Sequence, residues 1–296
     1  MDHLRALEVF CAVIKANSFT GATRTLPISA PSITRIINEL ESHLGTPLLH
    51  RTTRTMTPTE SGLTYYMHAK RILEELQTAD DVVRGAHTTP TGTLRVTAPQ
   101  LFGQHYISPI IREYLDTYSN VRAEGRFLDR AINIVDEGFD IAIRIGPLRD
   151  SNLKAIRVGA VRHVVSGCPD YFKKNGIPQN PSDLQHHKII HFSEFGTDNS
   201  WVFDKGLSIL LEPRITLSTI GACISSAKAG WGLTRALSYQ VGPKLGAGGL
   251  QTVLSEYDRD EWPIHLVHAE NRMQSAKVRS FLDLAVERLR EDPFLN

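Results

Sequence analysis

The sequence predicts an α/β protein with an all-α N-terminal part, and three observations predict it. Apolar residues recur at helical spacing from Leu4 to about Gly85. A linker of small residues, AHTTPTG over 86–92, then interrupts the pattern. Beyond it, β-rich runs alternate with helical ones to the end of the chain, the order expected of mainly parallel sheets. At 296 residues the chain suits two domains rather than one.

The first helix is expected over Leu4–Ala16, with Leu4, Leu7, Cys11 and Ile14 on one face. Asn17-Ser18 breaks it, and Thr20 is the expected N-cap of a short helix from Gly21 to Leu26. After Pro27-Ile28, Ser29 caps a third helix that tolerates Pro31 in its first turn and stops at Gly45. Its stripe of Ile33, Ile36, Ile37, Leu40 and Leu44 faces a core, and Ser32, Thr34, Arg35 and Asn38 lie off it. Two helices joined by a short turn, the second polar at its outer N-terminal end, have the layout of a helix-turn-helix. Taken alone, that flank suits a duplex groove or the solvated face of a helical bundle.

The run LLHRTTRTMT over 48–57 reads as a short hairpin, a wing, with Arg51 and Arg54 around its turn. Such an arginine pair is also what an ordinary solvated turn carries. Thr59 then caps a long helix from about Glu60 to Gly85. Its apolar positions Leu63, Met67, Leu73, Leu76 and Val83 leave a stripe without a partner in so short a domain, which points to self-association.

In the second half, strands are expected over Leu94–Ala98, Val121–Leu128 and Asp140–Ile145, with a helix ending near Tyr118 and a short helix over Ile132–Glu137. Pro109 sits in the first turn of the former helix or kinks it. The β-rich run Ala155–Ser166 and the strand Trp262–His268 are the expected crossovers between two lobes. Between them lie strands around Lys188–Phe192, Trp201–Phe203, Ser208–Leu211, Arg214–Leu217 and Leu233, and a helix from Ile220 to Ala229. An amphipathic helix, Ser275–Arg290, closes the chain.

Composition narrows the function. Hydrophobic residues are 41% and charged residues 22%, as in an ordinary soluble protein. No run of eighteen apolar residues appears, so no membrane partner is expected. Met1–Phe10 carries charges among its apolar residues and lacks a signal-peptide core, so the expected location is the cytoplasm. The net charge of +1 does not advertise nucleic acid. Between Arg24 and Thr59, however, four arginines (24, 35, 51, 54) stand against two glutamates (39, 41), and these would carry any DNA contact. Cys11, Cys168 and Cys223 are far apart and read as small hydrophobes. His186, His187 and His191 lack a further ligand at metal spacing and read as surface residues. GAGG at 246–249 is no nucleotide fingerprint, and no G-x-S-x-G elbow occurs. Neither an enzyme nor a cofactor is expected.

Several segments resemble the LysR-type transcriptional regulators. They are LRALEVFCAVIKANSFTGAT, SAPSITRIINELESHLGTPLLHRTTR and TPTESG in the first half, then LRVTAPQLFG, VDEGFDIAIRIG and KAIRVGAVRHVVSGCPDYF. The resemblance implies a winged helix-turn-helix, a long helix that pairs with a second subunit, and two Rossmann-like lobes of periplasmic-binding-protein type around a small-molecule cleft. The implied divisions are 1–59 for DNA, 60–91 for linker helix and hinge, and 92–296 for the effector, with lobe I at 92–161 and 268–296 and lobe II at 162–267. The implied partners are double-stranded promoter DNA, a small-molecule effector, a second or further copies of the chain as homodimer or homotetramer, and RNA polymerase.

Carried over residue by residue, Ser29, Ala30, Pro31, Ser32, Thr34 and Arg35 match the start of the family's recognition helix. Arg51 and Arg54 match wing residues that contact backbone or minor groove. Ala30 stands where many relatives have Gln, Pro27 sits in the turn, and Arg235 falls in GWGLTRALSYQV, an unusual version of a second-lobe motif.

In open α/β folds ligands bind past the carboxyl ends of strands. That places Thr97, Ala98, Pro99, Gln100 and Phe102 after the first strand, and Arg144 at the end of the third. Phe192 and Ser193 end a second-lobe strand, and Thr219 precedes a helix whose N–H groups suit an anion. A carboxylate effector is the working expectation. Thr97 merely ending a strand, and Arg144 tied in a structural salt bridge, are the plainer alternatives. Two other functions stay open on residues alone: a solute sensor whose N-terminal helices only dimerise, and an enzyme using the α/β half.

Overall fold

The computed structural model describes residues 1–51, 56–83, 89–130, 132–148, 152–193, 198–245, 249–258 and 260–295. The chain divides into two compact units, Met1–Gly92 and Thr93–Asn296.

In the first unit, α1 (His3–Ala16) is capped by Asp2 and ends where Asn17 turns left-handed at φ 52°. The second helix, α2 (Phe19–Ala22), differs from expectation. Ser18, not Thr20, is its cap, because the Ser18 hydroxyl accepts the Gly21 N–H at 2.8 Å. α3 (Ala30–Leu44) starts on Ser29, carries Pro31 in its first turn and stops at Gly45, φ 66°, as its sequence requires. Leu44 leaves the apolar stripe and is exposed.

β1 (Leu49–Arg51) and β2 (Met56–Pro58) pair antiparallel as the wing, with Arg51 opposite Met56. α4 (Glu60–Val83) follows, its first turn capped by Thr59, whose hydroxyl accepts the Gly62 N–H at 2.9 Å. Phe10, Val13, Ile33, Ile37, Leu40 and Leu48 are the centre of this unit's core. Gly62 lets α4 seat on β1: a Cβ there would lie 2.0 Å from the Leu48 carbonyl oxygen. Backbone cannot rotate away as a side chain can. Gly62→Ala is therefore expected to destabilise the unit by about 1–3 kcal/mol, read by urea unfolding, whereas Gly45→Asn changes it little.

The second unit opens with β3 (Gly92–Ala98), α5 (Gln100–Phe102) and α6 (Ser108–Thr117). Gly103–Ile107, between the two helices, is a π turn. Pro109 explains it: the ring has no N–H and clashes with the carbonyl four residues back, so the wider turn relieves the ladder just before it. β4 (Val121–Phe127), β5 (Ile141–Ile145) and β6 (Leu153–Val161) follow. The expected helix over Ile132–Glu137 is instead a turn over 134–138. The Asn133 side chain accepts the Val135 N–H at 3.1 Å, which competes with helical bonding.

Next come β7 (His163–Gly167), α7 (Pro169–Asn175), β8 (Ile190–Phe192), β9 (Ser200–Val202), β10 (Ser208–Leu210) and β11 (Ile215–Leu217). Then follow α8 (Ile220–Lys228), β12 (Thr234–Leu237), α9 (Ser238–Leu245), β13 (Gln251–Val253), β14 (Trp262–Ala269) and α10 (Ala276–Arg290). The sequence reading did not anticipate α7, α9 or β13.

One sheet has the order β4-β3-β5-β14-β6, a second the order β12-β7-β13, and β8 pairs β11. An Ile189–Leu233 bridge joins the β8–β11 pair to the β12 side. The sheets are mixed rather than mainly parallel. β3–β5 and β8–β11 are parallel, but β14 runs antiparallel to β5 and β6, and β7 runs antiparallel to β12 and β13. Parallel neighbours need a long crossover. Here β6 passes to β7 through Arg162 alone, and β14 returns from the other sheet, so the connecting strands meet their neighbours head to tail. β14 belongs whole to the first sheet, which moves the lobe boundary expected at 267/268 back to Trp262.

The first sheet's core is built on Leu94, Val96, Ile141, Leu266 and Phe281, and the second's on Val165, Phe172 and Leu233. His163 and Trp262, one from each connecting strand, meet edge to face at 4.7 Å. Burial, with the nearby Arg235 charge, pushes the His163 pKa down to about 4. The unfolded chain takes up this proton near pH 6.5 and the folded one only near pH 4. Stability contributed by neutral His163 is present above pH 6.5 and lost as pH falls through this window, about 3 kcal/mol in all. Thermal unfolding across pH 4 to 7 should show a smaller acid loss in His163→Gln than in the parent.

Candidate nucleic-acid interface and ligand cleft

The outer flank of α3 faces solvent. Arg35 keeps 67% of its side-chain surface and, among the described residues, pairs with Glu39 one turn on, at 2.6 Å. Such an exposed i,i+4 pair contributes about 0.3–0.5 kcal/mol and yields readily to a better anion. Pro31, Thr34, Arg35, Asn38 and Ser42 line an open groove of about 810 Å³ along the helix. Thr34 donates to the Ala30 carbonyl at 3.0 Å, so its hydroxyl can still accept. Ser29 and Ser32 hydroxyls touch at 3.0 Å and close the cap of the helix, so their first role is to fix its start. Ala30 presents only a methyl.

The wing is clipped to α3 by a glutamate that the sequence reading passed over. Glu41 Oε1 accepts the N–H of Leu48 at 2.8 Å and of Leu49 at 3.0 Å. Its Oε2 accepts from Arg51 at 2.6 Å, and Arg51 also donates to Asn38 Oδ1 at 2.7 Å. The Arg51 guanidinium lies over the Phe19 ring, 5.2 Å from its centroid. Arg51 thus ties the first strand of the wing, α3 and α2 together. Arg54 lies outside the described residues. A glutamate three residues before a helix stop resembles any surface carboxylate, so only the spacing to Arg51 hinted at this clip.

On α4, Ala69 is buried against Leu7 and Cys11 of α1, and Leu73 packs with them. Leu63 and Met67, one turn apart, stay exposed, as do Ile72 and Leu76. The single stripe expected from the sequence is therefore two exposed apolar pairs flanking the buried contact. The side chain of Val83 lies outside the described residues.

In the second unit, Leu101 packs against the cores of both sheets. A Cβ on Gly221 would lie 3.9 Å from the Leu101 side chain, so the start of α5 and the start of α8 face each other. Thr97 and Ala98 end β3 and are almost wholly buried. Pro99 leads into α5, and the Gln100 N–H is already taken by the Asp129 carboxylate at 2.9 Å. Phe192 packs in the second core near Leu217, and the Ser193 N–H donates to the Leu217 carbonyl at 3.1 Å. Thr219 caps α8 without a side-chain hydrogen bond to it.

Phe102 does not line this cleft. It is fully buried, its ring 4.8 Å from Tyr106 and 5.3 Å from Tyr239. A bulky apolar ring four residues past a strand end gains more from the core than from a solvated groove. Arg144 donates to the Ile132 carbonyl and braces the turn before β5.

The whole chain has relatives of this construction. Residues 4–63 match the family of bacterial regulatory helix-turn-helix proteins of the lysR type, and residues 87–290 match the LysR substrate binding domain. The chain is a member of the LysR-type transcriptional regulators. It is 32% identical over 286 residues to the HTH-type transcriptional regulator CrgA of Neisseria meningitidis serogroup C, covering 96% of each chain. It is 30% identical to the HTH-type transcriptional activator AaeR of Escherichia coli K12, covering 94% of this chain and 91% of that one. The solved structure of CrgA from Neisseria meningitidis superposes with a TM-score of 0.63 at 30% identity, covering 96% of this chain and 98% of that chain.

Membership makes the protein a DNA-binding regulator with an effector domain, not an enzyme. In this LysR-type regulator the unusual Arg235 points away from any cleft role. It pairs with Asp258, one bond at 3.1 Å, lies 4.7 Å from the Phe203 ring, and is 10% exposed. His191, expected at the surface, is buried and accepts the Trp201 indole N–H at 3.3 Å. Among the described residues no group of three or more His, Cys, Asp or Glu is placed to hold a metal.

Proposed function

We propose that this regulator reads promoter DNA with the outer flank of α3, and that a small organic anion seated between the starts of α5 and α8 sets its activity. The observation that carries the first part is the exposure of Arg35 in an open groove beside Thr34 and Asn38. An arginine so placed reaches guanine O6 and N7 in the major groove. Ser29 and Ser32 then hold the helix start at the phosphates, and Arg51 sets the wing angle while Arg54 reaches the backbone. Residues 1–59 form the DNA reader, 60–91 the linker and dimerisation segment, and 92–296 the effector module.

The exposed pairs Leu63–Met67 and Ile72–Leu76 support pairing of α4 with a second copy, as a dimer or a dimer of dimers. Promoter occupancy brings RNA polymerase within reach, and the working compartment is the cytoplasm, where the DNA is.

The anion assignment rests on α8. Thr219 leaves the first N–H groups of this helix without a side-chain cap, and the helix dipole favours negative charge there. Ser193 and the Thr97 hydroxyl supply polar walls. Asp129 covers the Gln100 amide, so the charged end of the effector points to α8 rather than α5.

The test of DNA reading is fluorescence anisotropy of the full chain on its own promoter fragment across 50 to 300 mM salt. A linear fall of log affinity with log salt, with preference over scrambled DNA, is expected. No binding at the lowest salt removes the reading. For the effector, thermal shift of the full chain against paired carboxylates and their amides should favour the acids. Amides that stabilise equally well would remove the anion assignment.

A further inference from the structure

β14 lies between β5 and β6, antiparallel to both. His265 stands opposite Arg144 on one side and opposite Arg157 on the other. Residues directly opposite share a face of the sheet, so these three basic side chains form one row. With strands about 4.8 Å apart, the row spans about 10 Å. It lies on the face away from Ile143 and Leu266, which alternate with it and enter the core with Phe281. Two residues along the same face, Val267 sits between Ala142 and Ala155 and packs with Ile132 and Phe139. That row is apolar and covered; its neighbour is basic and, at the Arg157 side chain, 59% exposed.

The charges of the basic row are not neutralised within it. Arg144 is half-buried, its bond goes to the uncharged Ile132 carbonyl, and it forms no ion pair among the described residues. Burial holds its pKa below the usual arginine value. Glu137, whose charge acts on it, is bonded twice by Arg130, at 2.9 and 2.8 Å. His265 Nδ1 is buried without a hydrogen-bond partner among the described residues. Burial, then the Arg157 charge, pushes that imidazole's pKa down. Arg157 pairs with Glu261 at 3.0 Å, but both side chains are exposed, so the pair yields readily. A half-buried cation beside a second cation and an unsatisfied ring nitrogen is costly, and an anion relieves it. Two guanidinium forks flanking one ring suit a tetrahedral dianion, which offers acceptors in more directions than a planar carboxylate.

We infer that this row is an anion site, which takes a phosphate group between Arg144 and Arg157 and over His265. A turn of the His265 ring brings Nδ1 to a phosphate oxygen. The occupant ties β5 to β6 across β14. It sits on a sheet face rather than at the starts of α5 and α8, so the two sites stand or fall separately.

The experiment is NMR of the histidine-labelled full chain at constant ionic strength, with the His265 signals assigned by His265→Gln. The probes are inorganic phosphate, glycerol 3-phosphate and acetate. Both phosphates are expected to move the His265 signals saturably and to raise that imidazole's pKa, and acetate to leave them still. Tighter binding of glycerol 3-phosphate names a phosphorylated metabolite as the source, and tighter binding of inorganic phosphate names the free ion. Arg157→Gln, a surface change, should weaken binding about ten-fold, and so should Arg144→Gln, which keeps an N–H donor for the Ile132 carbonyl. Glu261→Gln frees Arg157 and should tighten binding about two- to five-fold. Signals unmoved by either phosphate, acetate acting equally, or the parent and Arg157→Gln binding alike would overturn the proposal.

Discussion

Arg35→Ala lowers affinity for the native operator about ten- to a hundred-fold and flattens sequence choice, while affinity for random DNA changes little. The reason is geometric. A bidentate arginine–guanine contact is worth about 1–3 kcal/mol of discrimination, and alanine cannot replace it. Arg35 gives up only an exposed pair with Glu39 to make that contact, and it is otherwise free to extend. Selection from a random DNA library with parent and variant reads the effect directly. Equal selectivity profiles would remove Arg35 from base reading. Glu39→Gln frees Arg35 and should leave selectivity intact, so it separates loss of the arginine from loss of the pair.

Glu41→Ala destabilises the N-terminal unit by about 2–4 kcal/mol and weakens binding to every DNA sequence alike. Two half-buried amides, of Leu48 and Leu49, lose their acceptor, and each uncompensated donor costs about 1–3 kcal/mol. Arg51 loses its ion partner at the same time and keeps only the Asn38 amide oxygen on α3. The wing is then held by its strand pairing, by Arg51 on Asn38 and Phe19, and by Thr59, whose hydroxyl and N–H donate to the Pro47 and Leu48 carbonyls. Glu41→Gln keeps an acceptor for the two amides and recovers most of the stability, but not the hold on Arg51. Chemical denaturation of residues 1–92 within the full chain, followed by Tyr65 and Tyr66 signals, measures the first effect, and anisotropy on operator and scrambled DNA the second. A fully stable Glu41→Ala with ordinary binding would show that the wing needs no clip.

The N-terminal unit was largely legible in the sequence, because its signals are local. Ser29, Pro31 and Gly45 bracket α3 through capping and backbone preference, each acting within a turn of its own position. The wing register and Thr59 cap are local too. Where the reading slipped, two local signals competed. Ser18 and Thr20 both suit a cap, and the helix starts at Phe19, which puts Ser18 at the cap and Thr20 inside the helix. The stripe on α4 was read as one face, but α1 took Leu73 from it, with Ala69 beside it, and left Leu63, Met67 and Leu76 exposed.

The candidate cleft was less legible. Strand ends at Thr97, Phe192 and Ser193 followed from periodicity, yet Phe102 and Arg144 were placed by contacts far away in the chain. Phe102 is claimed by Tyr239, and Arg144 by the Ile132 carbonyl. Arg235, which invited a ligand role, is satisfied by Asp258, 23 residues later. No spacing rule connects such pairs.

By itself, the chain's order of residues determined the main helices of the first unit and the exposed outer flank of α3, since these depend on caps, φ preferences and one-sided periodicity. Tertiary structure alone decided which strands run antiparallel, which arginines are committed, and which rings are buried. The physical reason is that hydrogen-bond partners and core neighbours are chosen by the whole packed unit, where a desolvated group takes whatever partner the fold brings to it.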